Sequence, residues 1–235
     1  MEKALFTDIC IMVTKEIHGT LILVAVLGVI APIVFSQEKP DAAAIYRTGR
    51  NLENQGRTEE AEAKYREAAA ICLDEINTGI GTMDSYAVLT WALQRQKKYN
   101  DVIKRGNEAL AVRQDYRIVE TMGEAYFYLG NFEASLRCMQ RYINNIPNAD
   151  RTSVAYFFIG EIYRYQKKYN HADIAYTAAV QLTPDVALWW YRLGSVRESA
   201  GDYRFASEAY ERALKLDPGY SQASSGLERT RRENV

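Results

Sequence analysis

The sequence predicts an all-α protein built from stacked antiparallel helix pairs, and three observations predict it. First, the pentapeptide QKKYN occurs twice, at 96–100 and at 166–170. That offset is close to twice a period in the mid-thirties, and fixed periods of this length mark repeat arrays. Second, Gly160, Tyr169, Ala172, Tyr176, Ala179 and Pro184 return in the same order as Gly194, Tyr203, Ala206, Tyr210, Ala213 and Pro218. Third, apolar residues recur at helical spacing within each half-unit, and Pro147, Pro184 and Pro218 stop second helices.

The elements follow in chain order. Leu21 to Phe35 is a charge-free run, LILVAVLGVIAPIVF, with Lys15 before it and Pro32 near its end. It reads as a secretory signal occupying 1–36, with Val34-Phe35-Ser36 as the cleavage site. The rival reading is an uncleaved membrane anchor at 17–35, although the run is short for a span of ~17–25 residues. A linker, 37–41, follows. Five units then occupy 42–75, 83–115, 116–149, 153–186 and 187–220. The stretch around Asn77–Thr82 is extra, and Asn148–Arg151 lengthens the turn after unit three. The remaining segment, 219–235, is a capping helix, because a repeat array needs a polar end.

Within a unit, Gly, Ala and Ser let two helices approach closely. Tyr99, Phe132, Tyr169 and Tyr203 sit just past a turn, where a large ring fills the corner. QKKYN is therefore structural: Gln-Lys-Lys closes one helix and makes the turn, Tyr plugs the corner, and Asn caps the next helix. A single pair cannot bury its apolar face, so neighbouring pairs must stack.

This pattern resembles the tetratricopeptide repeat family. Unit five carries the likeness best, with Trp190, Leu193 and Gly194, then Ala206 and Tyr210, then Pro218. Arg197, Gly106 and Met139 depart from it, standing where the family has an aromatic ring. The resemblance implies a right-handed superhelix whose first helices line a concave groove. On that wall it places Tyr46 and Arg50, then Trp91 and Arg95, Arg117, Glu124 and Tyr128, Phe157, Arg164 and Tyr165, and Tyr191 and Arg192. Mixed rings and arginines suit a binding hot spot. Tyr128 and Tyr165 have no place in the repeat's own packing pattern, so a ligand would account for them. Chaperone-binding members hold a peptide carboxylate with Lys and Asn; here Tyr46, Arg50, Val88, Arg117 and Thr121 take those places, so that ligand is not expected.

Chemistry is sparse by comparison. His171 stands alone after 36, and no CxxC, HExxH or nucleophile elbow occurs. Gly79-Ile80-Gly81 lacks the lysine and strand context of a phosphate loop. Neither a catalytic residue, a metal ligand set nor a cofactor is expected. Twenty-nine basic residues balance thirty acidic ones, which argues against a nucleic-acid binder. Cys72 and Cys138 fall in different units, too far apart for a bridge. The expected function is an exported adaptor in the periplasm or cell envelope, binding a protein or peptide segment in the groove. The alternatives are a solute-binding accessory of a membrane transporter and a regulator of a cell-wall enzyme.

Overall fold

The computed structural model describes residues 40–147 and 149–233. The signal-or-anchor segment, and the linker up to 39, lie outside the described residues. Asp41, assigned to the linker, is instead a helix cap: its carboxylate accepts from the Ala43 and Ala44 amides at 2.9 and 3.0 Å.

Eleven helices are described, with no strand among them. They pair as α1 (Ala42–Asn54) with α2 (Thr58–Asn77), α3 (Met83–Arg95) with α4 (Tyr99–Val112), and α5 (Tyr116–Tyr128) with α6 (Phe132–Asn145). Then α7 (Thr152–Tyr165) pairs with α8 (Tyr169–Leu182), α9 (Ala187–Ala200) with α10 (Tyr203–Leu216), and α11 (Ser221–Glu233) closes the array. Each helix packs on its neighbours in sequence. Only the start of the stretch expected between units one and two is helical, because α2 runs on to Asn77 and α3 begins at Met83.

The same turn joins the two helices of every unit. A residue at positive φ, one of Gly56, Lys97, Gly130, Lys167 and Gly201, reverses the chain. The next amide then bonds five residues back, as Lys98 does to the Leu93 carbonyl at 3.0 Å and Asn131 to Tyr126 at 2.9 Å. Glycine takes this conformation freely, whereas a lysine there costs ~1–2 kcal/mol. QKKYN therefore works differently from the sequence reading. Lys98 and Lys168 hold the cap positions, without a side-chain cap bond, and Asn100 and Asn170 lie inside the helices.

Close packing between paired helices is set by a small residue facing a large one. A Cβ on Gly160 would lie 2.6 Å from the Tyr176 ring, and one on Gly194 would lie 2.7 Å from Tyr210. Gly123 faces Met139 in the same way. Unit two inverts the order, with Thr90 buried on α3 and Gly106 on α4, against Met122 of the next unit. So the aromatic departures at Gly106 and Met139 are matched by their neighbours. At the other end, α11 covers the array: Tyr210 packs on Gly226, and the Ser207 hydroxyl donates to Thr230 at 2.8 Å. Cys72 is buried and Cys138 half-buried, and the two are not bridged to each other. No described helix is long and apolar enough to cross a membrane.

Corner rings such as Tyr169 are half-buried, while Tyr65, Tyr176 and Tyr210 are buried. A corner ring is therefore not the ring that fills the core: in unit four that ring, Tyr176, comes seven residues after Tyr169. Tyr176→Ala should cost ~3–5 kcal/mol, the range for a truncated core aromatic. Tyr169→Ala should cost clearly less. Urea unfolding followed by circular dichroism orders the two; equal losses would put both rings in the core.

Candidate partner-binding cleft

First helices touch first helices: α1 meets α3, α3 meets α5, α5 meets α7, and α9 meets α11. That places them on one wall, the inner one. A cleft of about 790 Å³ opens on it, lined by α1, α3, α5 and the turn between α6 and α7. Seven of the twelve predicted site residues line it: Tyr46, Arg50, Trp91, Arg95, Arg117, Glu124 and Tyr128. Phe157, Arg164, Tyr165, Tyr191 and Arg192 do not.

Most of those twelve side chains have partners within the protein. Tyr46 is buried between the Tyr65 and Trp91 rings, at 5.5 and 5.7 Å, so it forms the cleft floor. Phe157 stacks on Trp189 at 5.2 Å and belongs to the core. Tyr191 lies 5.1 Å from the Tyr220 ring of the capping segment. Tyr128 stacks on Tyr99, with centroids 5.0 Å apart and planes 11° apart. Tyr165 stacks on Phe132 at 5.3 Å and 18°. Both tyrosines thus have a packing role after all: each clamps the corner ring of the preceding unit. They stay 53% and 56% exposed, so their outer faces remain open.

Three of the predicted arginines, and one on the capping helix, bridge to a carboxylate on a neighbouring first helix. Arg95 reaches Glu53 at 3.4 Å, Arg117 reaches Asp84 at 2.8 Å, and Arg192 lies 3.0 Å from Glu161. Arg229 of the cap reaches Glu198 at 2.7 Å. In three units the carboxylate also accepts from the buried ring of its own pair. Tyr65 donates to Glu53 at 2.7 Å, Tyr210 to Glu198 at 2.6 Å, and Tyr176 to Glu161. A Tyr–Glu–Arg bridge therefore ties unit one to unit two, unit four to unit five, and unit five to the cap. Arg164 adds a second cation to Glu161 at 2.7 Å. These arginines hold the wall together.

Units three and four are tied by a different device. Arg151, in the lengthened turn before α7, donates to Glu120 at 2.9 Å and also pairs with Glu124. Gln94 donates to Glu124 at 3.1 Å and leaves its own Oε1 buried, without a hydrogen-bond partner among the described residues. Burial, and then the neighbouring Glu124 charge, push the Glu120 carboxyl well above its ordinary range, against the pull of Arg151. One arginine facing two carboxylates balances only one of them. Sequence reasoning missed Arg151; the unusual spacing of Asn148–Arg151 was its only signal.

Arg50 and Lys97 are what the internal pairing leaves over. Both line the cleft, both are exposed, and neither has an ion-pair partner among the described residues. No group of three or more His, Cys, Asp and Glu residues able to hold a metal ion is present among the described residues.

Glu120 makes a pH prediction. Its pKa is raised on folding, so its contribution to stability is complete below the ordinary carboxylate value and is lost as pH rises through the raised one. Glu120→Gln should therefore flatten the loss of thermal stability above pH ~5 and match or exceed the wild type at pH ~8. A variant that is less stable than wild type at every pH would show that Glu120 is held ionised by Arg151.

Comparison with known proteins follows this geometry. Models of the tetratricopeptide repeat match residues 153–186 and 187–220. Over 166 residues the chain is 29% identical to human protein O-mannosyl-transferase TMTC1; the match covers 70% of this chain and 18% of that protein. The chain thus spans about a fifth of that relative. A chain of the APC/C hetero-tetramer Cut9–Hcn1 has TM-score 0.64 at 16% identity, covering 81% of this chain and 36% of that one. YrrB, described as a TPR protein with an unusual peptide-binding site, has TM-score 0.54 at 16% identity, covering 80% and 92%. Those two likenesses show the fold.

Proposed function

Because the chain belongs to the tetratricopeptide repeat family, we propose that it is a protein–protein interaction scaffold that seats a partner segment in the cleft of units one to three. The observation that carries this reading is what the wall leaves unused. After every internal pairing is taken out, Arg50 and Lys97 remain free, beside the half-buried Trp91 ring and the open face of Tyr128. A free guanidinium next to aromatic rings favours a carboxylate beside an apolar or planar group.

Adaptor use is favoured over solute capture by one feature. None of the cleft lining comes from the capping helix; every lining residue lies between 46 and 151. The cleft is thus an open trough of several units, suited to an extended segment. A peptide-binding site is ascribed to YrrB, which is similar in fold over most of this chain. Catalysis is not part of the proposal, and the activity named for the human relative belongs to a protein of which this match covers 18%. Function in the cell envelope is part of it, supported by the charge-free run from Leu21 to Phe35.

Two measurements test the reading. Arg50→Glu, which breaks no ion pair, should weaken partner capture by ~2 kcal/mol or more, as for a hot-spot cation. Its helical circular-dichroism signal should stay unchanged. Equal capture by the folded variant would move the partner off the cleft. For export, N-terminal sequencing of the mature chain should begin at Gln37; an intact Met1 on membrane-bound protein would make the segment an anchor.

A further inference from the structure

The two QKKYN turns combine two locally unfavourable choices that no other turn combines; unit one has glycine at the left-handed position but also caps with a basic residue, Arg57. Gly56, Gly130 and Gly201 take the left-handed position in units one, three and five, but Lys97 and Lys167 take it at φ 58° and 56° in units two and four. The following residue caps the second helix. It is Asn131 in unit three, whose side chain accepts from Ala134, and Asp202 in unit five. In units two and four it is Lys98 and Lys168, which put positive charge at the positive end of a helix. All four lysines are exposed, and none has an ion-pair partner among the described residues. Two unfavourable choices in the same turn, made twice, call for a gain elsewhere.

The gain is visible between the turns. Unit three lies between units two and four, and its own turn presents Tyr128 and Leu129, which are 53% and 43% exposed. Tyr165, 56% exposed, comes just before Lys167. The rings form one surface: Phe127 lies 5.5 Å from Tyr128, 5.6 Å from Phe132 and 5.9 Å from Tyr165. An aromatic patch is thus framed by two pairs of exposed lysines without ion-pair partners among the described residues, all on the edge of the array where first helices turn into second helices; Lys168 Nζ lies 6.0 Å from the Tyr163 ring. We propose that this edge is a second docking surface, separate from the cleft, for an acidic protein segment that places an apolar or aromatic residue on the tyrosines and carboxylates on the lysine pairs. Charge complementarity selects the acids, and the open ring faces select the apolar centre. Lys97 also lines the cleft, so the edge begins at the cleft rim; Lys167 and Lys168 are not among its lining residues.

The test rewrites each turn in the chain's own alternative. In the full chain, Lys97-Lys98 becomes Gly-Asn and Lys167-Lys168 becomes Gly-Asp. The probe is a glutamate–tyrosine copolymer, with polyglutamate as the comparison. Wild type should bind the copolymer more tightly than polyglutamate. The rewritten chain should lose about tenfold or more in copolymer affinity, four exposed charge contacts being lost together, while its melting temperature rises. Rewriting only 167–168, which leaves every cleft residue in place, should produce a clear part of that loss. Unchanged copolymer binding, or a lowered melting temperature, would overturn the proposal. So would loss of binding to phosphatidylserine vesicles with copolymer binding retained, since that result would make the edge a lipid contact.

Discussion

How closely the two helices of a unit approach decides the rest of this structure. Where a glycine on the first helix faces a tyrosine on the second, the ring lies so near that a methyl group would not fit; at Gly160 an added Cβ would stand 2.6 Å from Tyr176. That closeness carries the phenol through the pair to the inner wall, where it meets a carboxylate of the first helix. The carboxylate is then fixed in place and partly stripped of water, as at Glu161, which is 6% exposed. A fixed, partly buried anion needs a cation, and the next unit supplies it. Packing within one unit thereby sets the electrostatics between units.

This coupling changes how a charged inner wall is read. Exposed ion pairs usually contribute ~0–1 kcal/mol, so the bridges at Glu53 and Glu198 matter more for geometry than for stability. Glu161 differs, because removing its arginines would leave a buried charge without compensation, which is costly. Unit three shows what happens without the ring at that place. Met139 stands where Tyr176 and Tyr210 stand in their units, and the ring that reaches the wall there is Tyr142, three residues further on. Two glutamates, at 120 and 124, and an arginine from a lengthened turn do the tying instead. Like charges in a low-dielectric site raise each other's pKa, in keeping with the direction seen at Glu120.

The helix pairs, their order and the capping helix were legible in the sequence because they depend on a period, and a period survives substitution. The turn was nearly legible: its position followed from QKKYN, but the left-handed lysine did not, since lysine is a poor predictor of positive φ. The site was legible only in part. Arg164 and Arg192 looked like ligand contacts because they fall on first helices and outside the packing pattern. Their true partner, Glu161, lies on the inner wall beside them, and no periodic rule specifies which way a long side chain turns. Tyr128 and Tyr165 failed for a related reason. Their stacking partners, Tyr99 and Phe132, belong to the preceding unit, and a pattern read within one unit cannot show a contact between two. Arg50 was the reverse case, a predicted residue left free by the wall.

Free and committed groups therefore need to be separated before function is assigned to a repeat array. A residue that satisfies a neighbour is explained by the fold, however exposed its outer face. A residue that works against the fold is not. Lys97 and Lys167 hold a backbone conformation that glycine holds at three equivalent turns of this same chain, and Lys98 and Lys168 oppose the helix dipoles they cap. That both turns keep both lysines, on either side of the most exposed tyrosines, places the unexplained free energy on one edge of the molecule. An anionic surface laid along that edge would offset the charge penalty at both caps, Lys98 and Lys168, and would pair the two left-handed lysines beside them.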